Sequence, residues 1–270
     1  MRIAKRYLVE YSLLAGVSIV SVLGFWDFYF GREANPQPYH HLHVITVFLW
    51  LLLLLVQLNS ISNGGIAKHR RNGLFVLFMA PFLIATVASL SVLSARRAAA
   101  SGTADPLLVQ NVMVSLQLGL LVVLAFLFKK RRAVHGSLLF STLILFGGIA
   151  VFFALLSFVP MFRIDGPETF YRFGTAAITG LVICVAVSLS LFVSAPKTRW
   201  PYLLAAGFFL FNVAINGALS GLRLDSLATD MVGSLDPLWT FAGAFVVQFT
   251  LLALLVSPIT RPSTIRQSRR

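Results

Sequence analysis

The chain is poor in charge and almost devoid of cysteine, and each scarcity removes a class of chemistry. Charged residues make up 11% of the 270 positions, whereas an ordinary soluble domain carries about a quarter, so a water-facing globule is excluded. The single cysteine, Cys184, excludes an intrachain disulfide and any zinc or iron–sulfur site built on several thiolates. Lying in the middle of an apolar run, it reads as a small apolar side chain. There is no Ser/His/Asp spacing, glycine-rich phosphate loop, HExxH element or pair of carboxylates at catalytic spacing. Nothing in the sequence therefore points to a hydrolase.

What the chain has in quantity is apolar: 58% hydrophobic residues, 24 of the 270 being Phe. Because a helical span needs about 20 apolar residues, the runs predict an all-α, polytopic transmembrane helix bundle of about eight spans, with residues 1–270 forming a single transmembrane domain. The expected spans are 7–30, 41–61, 73–94, 106–128, 137–159, 173–195, 200–221 and 237–256. The first run follows basic residues, as a signal peptide would. It contains Glu10, however, exceeds the ~7–15 residues of a signal core and lacks a small-x-small cleavage site before Trp26 and Asp27, so it reads as a retained helix. Pro81 is expected to weaken or kink the third span. Pro106 after Asp105 is a start signal for the fourth, and Gly147-Gly148 offers a small surface for close helix approach in the fifth.

The charges are sorted along this pattern. Eight of the nine acidic residues (Asp27, Glu33, Asp105, Asp165, Glu168, Asp225, Asp230, Asp236) fall on one side of the spans. Sixteen of the 22 Lys and Arg fall on the other, in the groups Arg2/Lys5/Arg6, Lys68/Arg70/Arg71, Lys129–Arg132, Lys197/Arg199 and Arg261/Arg266/Arg269/Arg270. Basic loops resist translocation, so both the N- and C-termini are expected in the cytoplasm. The net charge of +13 then reports orientation in a lipid bilayer, and no nucleic-acid partner is expected.

The five histidines are the natural candidates for metal or haem ligation in so apolar a chain. His40, His41 and His43 sit together at the mouth of the second span, where they are a candidate metal set with Asp27 as an oxygen donor. His43, Trp50 and Gln57 recur every seven residues and share a helical stripe. Such a stripe suits a buried prosthetic group or a quinone; equally, Gln57 suits polar contact between helices and the histidines suit headgroup anchoring. His69 and His135 each precede a helix beside basic residues, an arrangement that can hold a haem edge with arginines on its propionates and that also describes a plain positive-inside loop. The remaining intramembrane polar groups are neutral amides: Gln110, Asn111, Gln117, Asn212, Asn216 and Gln248. An ion-coupled transporter is expected to carry charge mid-span, so a small-molecule transporter is a third and weaker expectation. The loops with Arg163, Asp165, Glu168 and Arg172, and with Arg223, Asp225, Asp230 and Asp236, read as solvated local ion pairs or as a surface for a partner.

The pattern His43-x6-Trp50-x6-Gln57, then His69-Arg70-Arg71-x-Gly73, then His135-x-x-Leu138 after basic residues, resembles a group of uncharacterised bacterial multi-pass membrane proteins. The HR-x-x-G element is also similar to one in some transmembrane b-type cytochromes. The resemblance covers roughly residues 40–140. It implies association with haem b, and its cofactor-binding residues would be His43, Trp50, Gln57, His69 and His135. The chain departs from the pattern after the second histidine, where Gly136 and Leu139 replace a basic residue and a nearby Met. The resulting expectation is a protein of the bacterial inner (plasma) membrane serving an electron-transfer or membrane-assembly system. The alternative is a non-catalytic accessory subunit packed against other membrane-protein subunits. Reporter fusions after Gly65 and after Gly102 are expected to give opposite topological signals; equal signals would eliminate the eight-span arrangement.

Overall fold

The computed structural model describes residues 7–32 and 34–256. Arg2, Lys5, Arg6, Glu33 and the arginines from Arg261 onward lie outside the described residues, and with them the terminal part of the charge argument.

The described residues are helical, without strands. In chain order the helices are α1 (Leu8–Gly24), α2 (Pro38–Ser62), α3 (Ile66–Gly73), α4 (Val76–Ala100), α5 (Leu108–Leu127), α6 (Arg132–Phe158), α7 (Tyr171–Val193), α8 (Pro196–Gly221), α9 (Asp225–Gly233) and α10 (Pro237–Val256). By length and composition seven of them, α2, α4, α5, α6, α7, α8 and α10, suffice to cross a membrane. The eighth expected span, 7–30, is divided. Its α-helical part is 17 residues long, and it continues after Phe25 as a π-helical turn, Trp26–Phe30.

Several helices outrun their apolar cores, because polar residues with good helix propensity extend a helix past the hydrocarbon-like segment. Thus α4 continues through Arg96 and Arg97 to Ala100, and α6 begins at Arg132, which puts His135 inside its first turn. Pro38 opens α2 at a position where its missing N–H costs nothing. Pro81 lies inside α4, and the helix continues through it. The short helices α3 and α9 occupy segments that read as loops in the sequence.

Two helices organise the rest. The most buried, α6, packs against α1, α5, α7 and α8, while α4 packs against α2, α5, α9 and α10. Backbones approach closely where glycine omits a side chain. A Cβ on Gly24 of α1 would collide with the Ala150 carbonyl of α6, and one on Gly148 would lie 2.6 Å from the Phe209 ring of α8. The expected role of the Gly147-Gly148 pair thus falls mainly on Gly148, while Gly147 makes ordinary contact with Val17.

Polar contacts close both ends of the bundle. At the acid-rich end Arg96 donates from Nε to the Gly233 carbonyl (3.1 Å) and from Nη2 to the Leu235 carbonyl (2.6 Å), clamping the α9–α10 connection onto α4. The Asp105 N–H donates to Thr229 Oγ1, and Asp105 Oδ1 accepts from the Leu107 N–H just ahead of α5. At the basic end Lys129 Nζ donates to the Leu255 carbonyl (2.7 Å) near the C-terminus of α10. Glu10, the one acid on the basic side, forms an ion pair with Arg199 at 3.1 Å, both side chains being about one-fifth exposed.

The Gly24 contact gives a direct test of this packing. Gly24→Leu forces α1 off α6 and is expected to cost about 2 kcal/mol or more. Gly16→Leu, on the same helix with nothing within 4 Å of its added Cβ, is expected to be near neutral. Thermal unfolding of the two variants in detergent makes the comparison.

Candidate functional site

Helix geometry divides the predicted His43–Trp50–Gln57 stripe between the two ends of the bundle. At 1.5 Å per residue His43 and Gln57 stand about 21 Å apart along α2, so one prosthetic group of ordinary size does not touch both. Three local environments result.

At the acid-rich end each of the three clustered histidines has its own partner. His40 Nδ1 accepts from the Gln37 N–H (3.0 Å) and caps α2; its neutral ring then carries the proton on Nε2 and has no free lone pair for a metal. His41 Nδ1 hydrogen-bonds with Tyr29 Oη (2.8 Å), and His43 Nδ1 lies 3.4 Å from Thr86 Oγ1. Among the described residues no group of three or more His, Cys, Asp or Glu side chains is placed to hold a metal ion.

In the middle of the bundle the stripe joins helices. Thr46 and Thr86 hydroxyls meet at 3.0 Å between α2 and α4. Trp50, with no exposed surface, donates from Nε1 to Thr142 Oγ1 of α6 at 3.1 Å. A buried tryptophan N–H usually finds a partner, and here that bond ties α2 to the central helix.

At the basic end the structure brings together His69, on α3, and His135, on α6, with ring centroids 6.4 Å apart and planes nearly perpendicular. His135 Nδ1 lies 2.7 Å from the Ala125 carbonyl. A carbonyl only accepts, so Nδ1 carries the proton and Nε2 of the neutral ring keeps its lone pair. Burial, aided by His135 and Arg70, lowers the His69 pKa below the usual imidazole value, favouring the neutral, ligating form. His69 Nδ1 is buried without a hydrogen-bond partner, and so is Gln57 Oε1. Gln57 also faces α3: its Nε2 is 3.5 Å from where a Gly73 Cβ would be, and Gly73 shares a helical face with His69 four residues earlier. Two of the five predicted cofactor residues, His69 and His135, therefore meet here, and Gln57 lies against the end of the same short helix, α3, while His43 and Trp50 lie further along α2.

The amides of α5 and α8 also converge. Asn212 Nδ2 donates to Gln110 Oε1 (3.1 Å), and Gln117 Nε2 donates to Asn212 Oδ1 (2.6 Å). Gln248 Nε2 on α10 donates to the Gly119 carbonyl (3.2 Å). In the sequence they read as separate neutral polar residues. The one available signal was the single-turn spacing of Asn212 and Asn216, which cannot reveal a partner on another helix.

No family model, curated protein or solved structure matches this chain. What is shown is a helical membrane protein with several apolar helices fit to contact lipid.

The Trp50 bond is expected to be costly to break on one side. Thr142→Val leaves a buried indole N–H unpaired and is expected to lower stability by about 1–3 kcal/mol. Trp50→Phe together with Thr142→Val is expected to cost less than the sum of the single changes, as read by a double-mutant cycle of unfolding midpoints.

Proposed function

We propose that the protein serves an electron-transfer or membrane-assembly system of a bacterial inner membrane by holding a b-type haem between His69 and His135. The observation that carries this reading is the meeting of these two histidines from separate helices, one with a buried, unpartnered ring nitrogen and the other fixed by a carbonyl. A ring nitrogen hydrogen-bonded to a carbonyl is the usual outer support of a ligating histidine, since it fixes the tautomer and the ring orientation. His69 and His135, with ring centroids 6.4 Å apart, are the residues that would hold the iron.

The donor set also suits the rest of the group. Lys68, Arg70, Arg71, Arg131 and Arg132 are exposed at the same end and can pair with propionates through charged hydrogen bonds. Haem iron would supply one-electron exchange. The residues themselves supply the ligating nitrogens, fix one ring tautomer and neutralise the carboxylates. A metal ion without porphyrin, held by the same pair, is the reading to separate from this one.

Purified protein is expected to show a Soret band with reducible α and β bands. His69→Ala and His135→Ala are each expected to remove about nine-tenths of it, since each removes a residue that would hold the iron, whereas His40→Ala, His41→Ala and His43→Ala leave it in place. Metal content without a Soret band, lost in the same two variants, indicates the simple metal site. A colourless, metal-free protein overturns the histidine reading in favour of an accessory subunit.

A further inference from the structure

A cavity of about 350 Å³ lies in the acid-rich half of the bundle, walled by the start of α5 and by parts of α6, α7 and α8. It is remote from the histidine pair at the basic end, and three features define what it accepts.

The first is polarity without charge. Gln110, Asn212 and Asn216 supply the polar lining, and no Lys, Arg, Asp or Glu takes part. Asn212 is held by Gln110 and Gln117. Gln110 accepts that bond at Oε1, which leaves its Nε2 to donate; Asn216 is exposed to the cavity. The site thus presents amide N–H donors to a neutral acceptor, and a charged headgroup would enter without a counter-ion. The second is the aromatic lining. Phe152, Phe173 and Phe209 all face the space, with Phe152 and Phe173 edge to face at 4.9 Å, and such walls favour a flat, ring-bearing guest. The third is the direction of access. Ile178 and Val213 line the cavity and are also 63% and 52% exposed on the outer surface of the bundle, where a membrane protein meets lipid. The opening is therefore lateral, and an apolar tail can remain in the bilayer while the head enters.

We propose that this cavity binds a prenyl- or alkyl-tailed quinone. A quinone is neutral and planar, carries ring carbonyls that accept from the Gln110 and Asn216 amides, and reaches the site through the membrane; the volume fits a head of this kind with the first part of its tail, at the lower end of ligand pockets of about 300–1,000 Å³. The proposal does not rest on the histidine pair, and a colourless protein that binds the quinone leaves it standing.

Two glycines make the test clean. Gly174 and Gly217 both line the cavity, and a Cβ added to either meets nothing within 4 Å, so larger residues there fill the space without moving backbone. The probe is a photoreactive azidobenzoquinone with a decyl tail, applied to the full chain in liposomes. Labelling is expected to saturate, to map to Pro106–Gln110, α7 or α8, and to be competed by unlabelled decyl-tailed benzoquinone but not by diacylglycerol, which offers ester carbonyls without a planar head. Gly174→Leu and Gly217→Leu are each expected to weaken labelling about tenfold with unchanged unfolding temperature. Asn216→Leu, which removes a hydrogen bond and fills nothing, is expected to weaken it about fivefold. Should a glycine variant fail to fold, the Asn216 variant decides. Undiminished labelling in the folded variants overturns the proposal, and so does equal competition by diacylglycerol.

Discussion

Inside a hydrocarbon layer a polar group has no water to fall back on, and leaving one unpaired costs several kcal/mol. The bundle is arranged around its few interior polar groups in consequence. The indole of Trp50 finds Thr142, the hydroxyl of Thr46 finds Thr86, and Asn212 joins Gln110 and Gln117. Each of these contacts crosses from one helix to another, so satisfying the groups also fixes which helices are neighbours. Apolar surface alone cannot make that choice, since lipid tails cover it as well as another helix does.

Set against this pattern of pairing, the unpaired atoms stand out. Gln57 Oε1 and His69 Nδ1 are buried and unpartnered near the same end of the bundle, beside a histidine whose orientation is fixed by a backbone carbonyl. In the other half, amides with spare donors face a cavity with aromatic walls. Glu10, Asp105 and Ser188 each carry a buried unpartnered oxygen as well, so it is the meeting of an open ring nitrogen with a second histidine, rather than the open atom alone, that marks the basic end.

The helical class and the approximate places of the long helices were legible in the sequence because a 20-residue apolar run has few structural solutions; Pro237–Val256 matches its expected bounds. Helix ends were less legible. The start of α6 at Arg132 and the extension of α4 to Ala100 lie beyond the apolar runs, where hydropathy carries no information. The histidine site was half legible. Residue type and local basic context marked His69 and His135, but seven-residue spacing tied Gln57 to His43 and Trp50, which share its helical stripe and not its depth. The amide-lined cavity was out of reach, because its walls come from four helices whose adjacency is a matter of packing.

The contact between Glu10 and Arg199 joins residues 189 positions apart, and this has a bearing on how the protein is made. Membrane proteins are inserted as they are synthesised, from the N-terminus onward. The carboxylate of α1 must therefore pass through most of synthesis without its guanidinium, which arrives only with α8. The groove on α6 that receives α1, shaped by Gly24 against Ala150, likewise does not exist until the sixth helix has been made. The first helix therefore reaches its final place no earlier than α6, and its ion pair forms only once α8 has been made. Truncation before α8 leaves the Glu10 side chain without this partner.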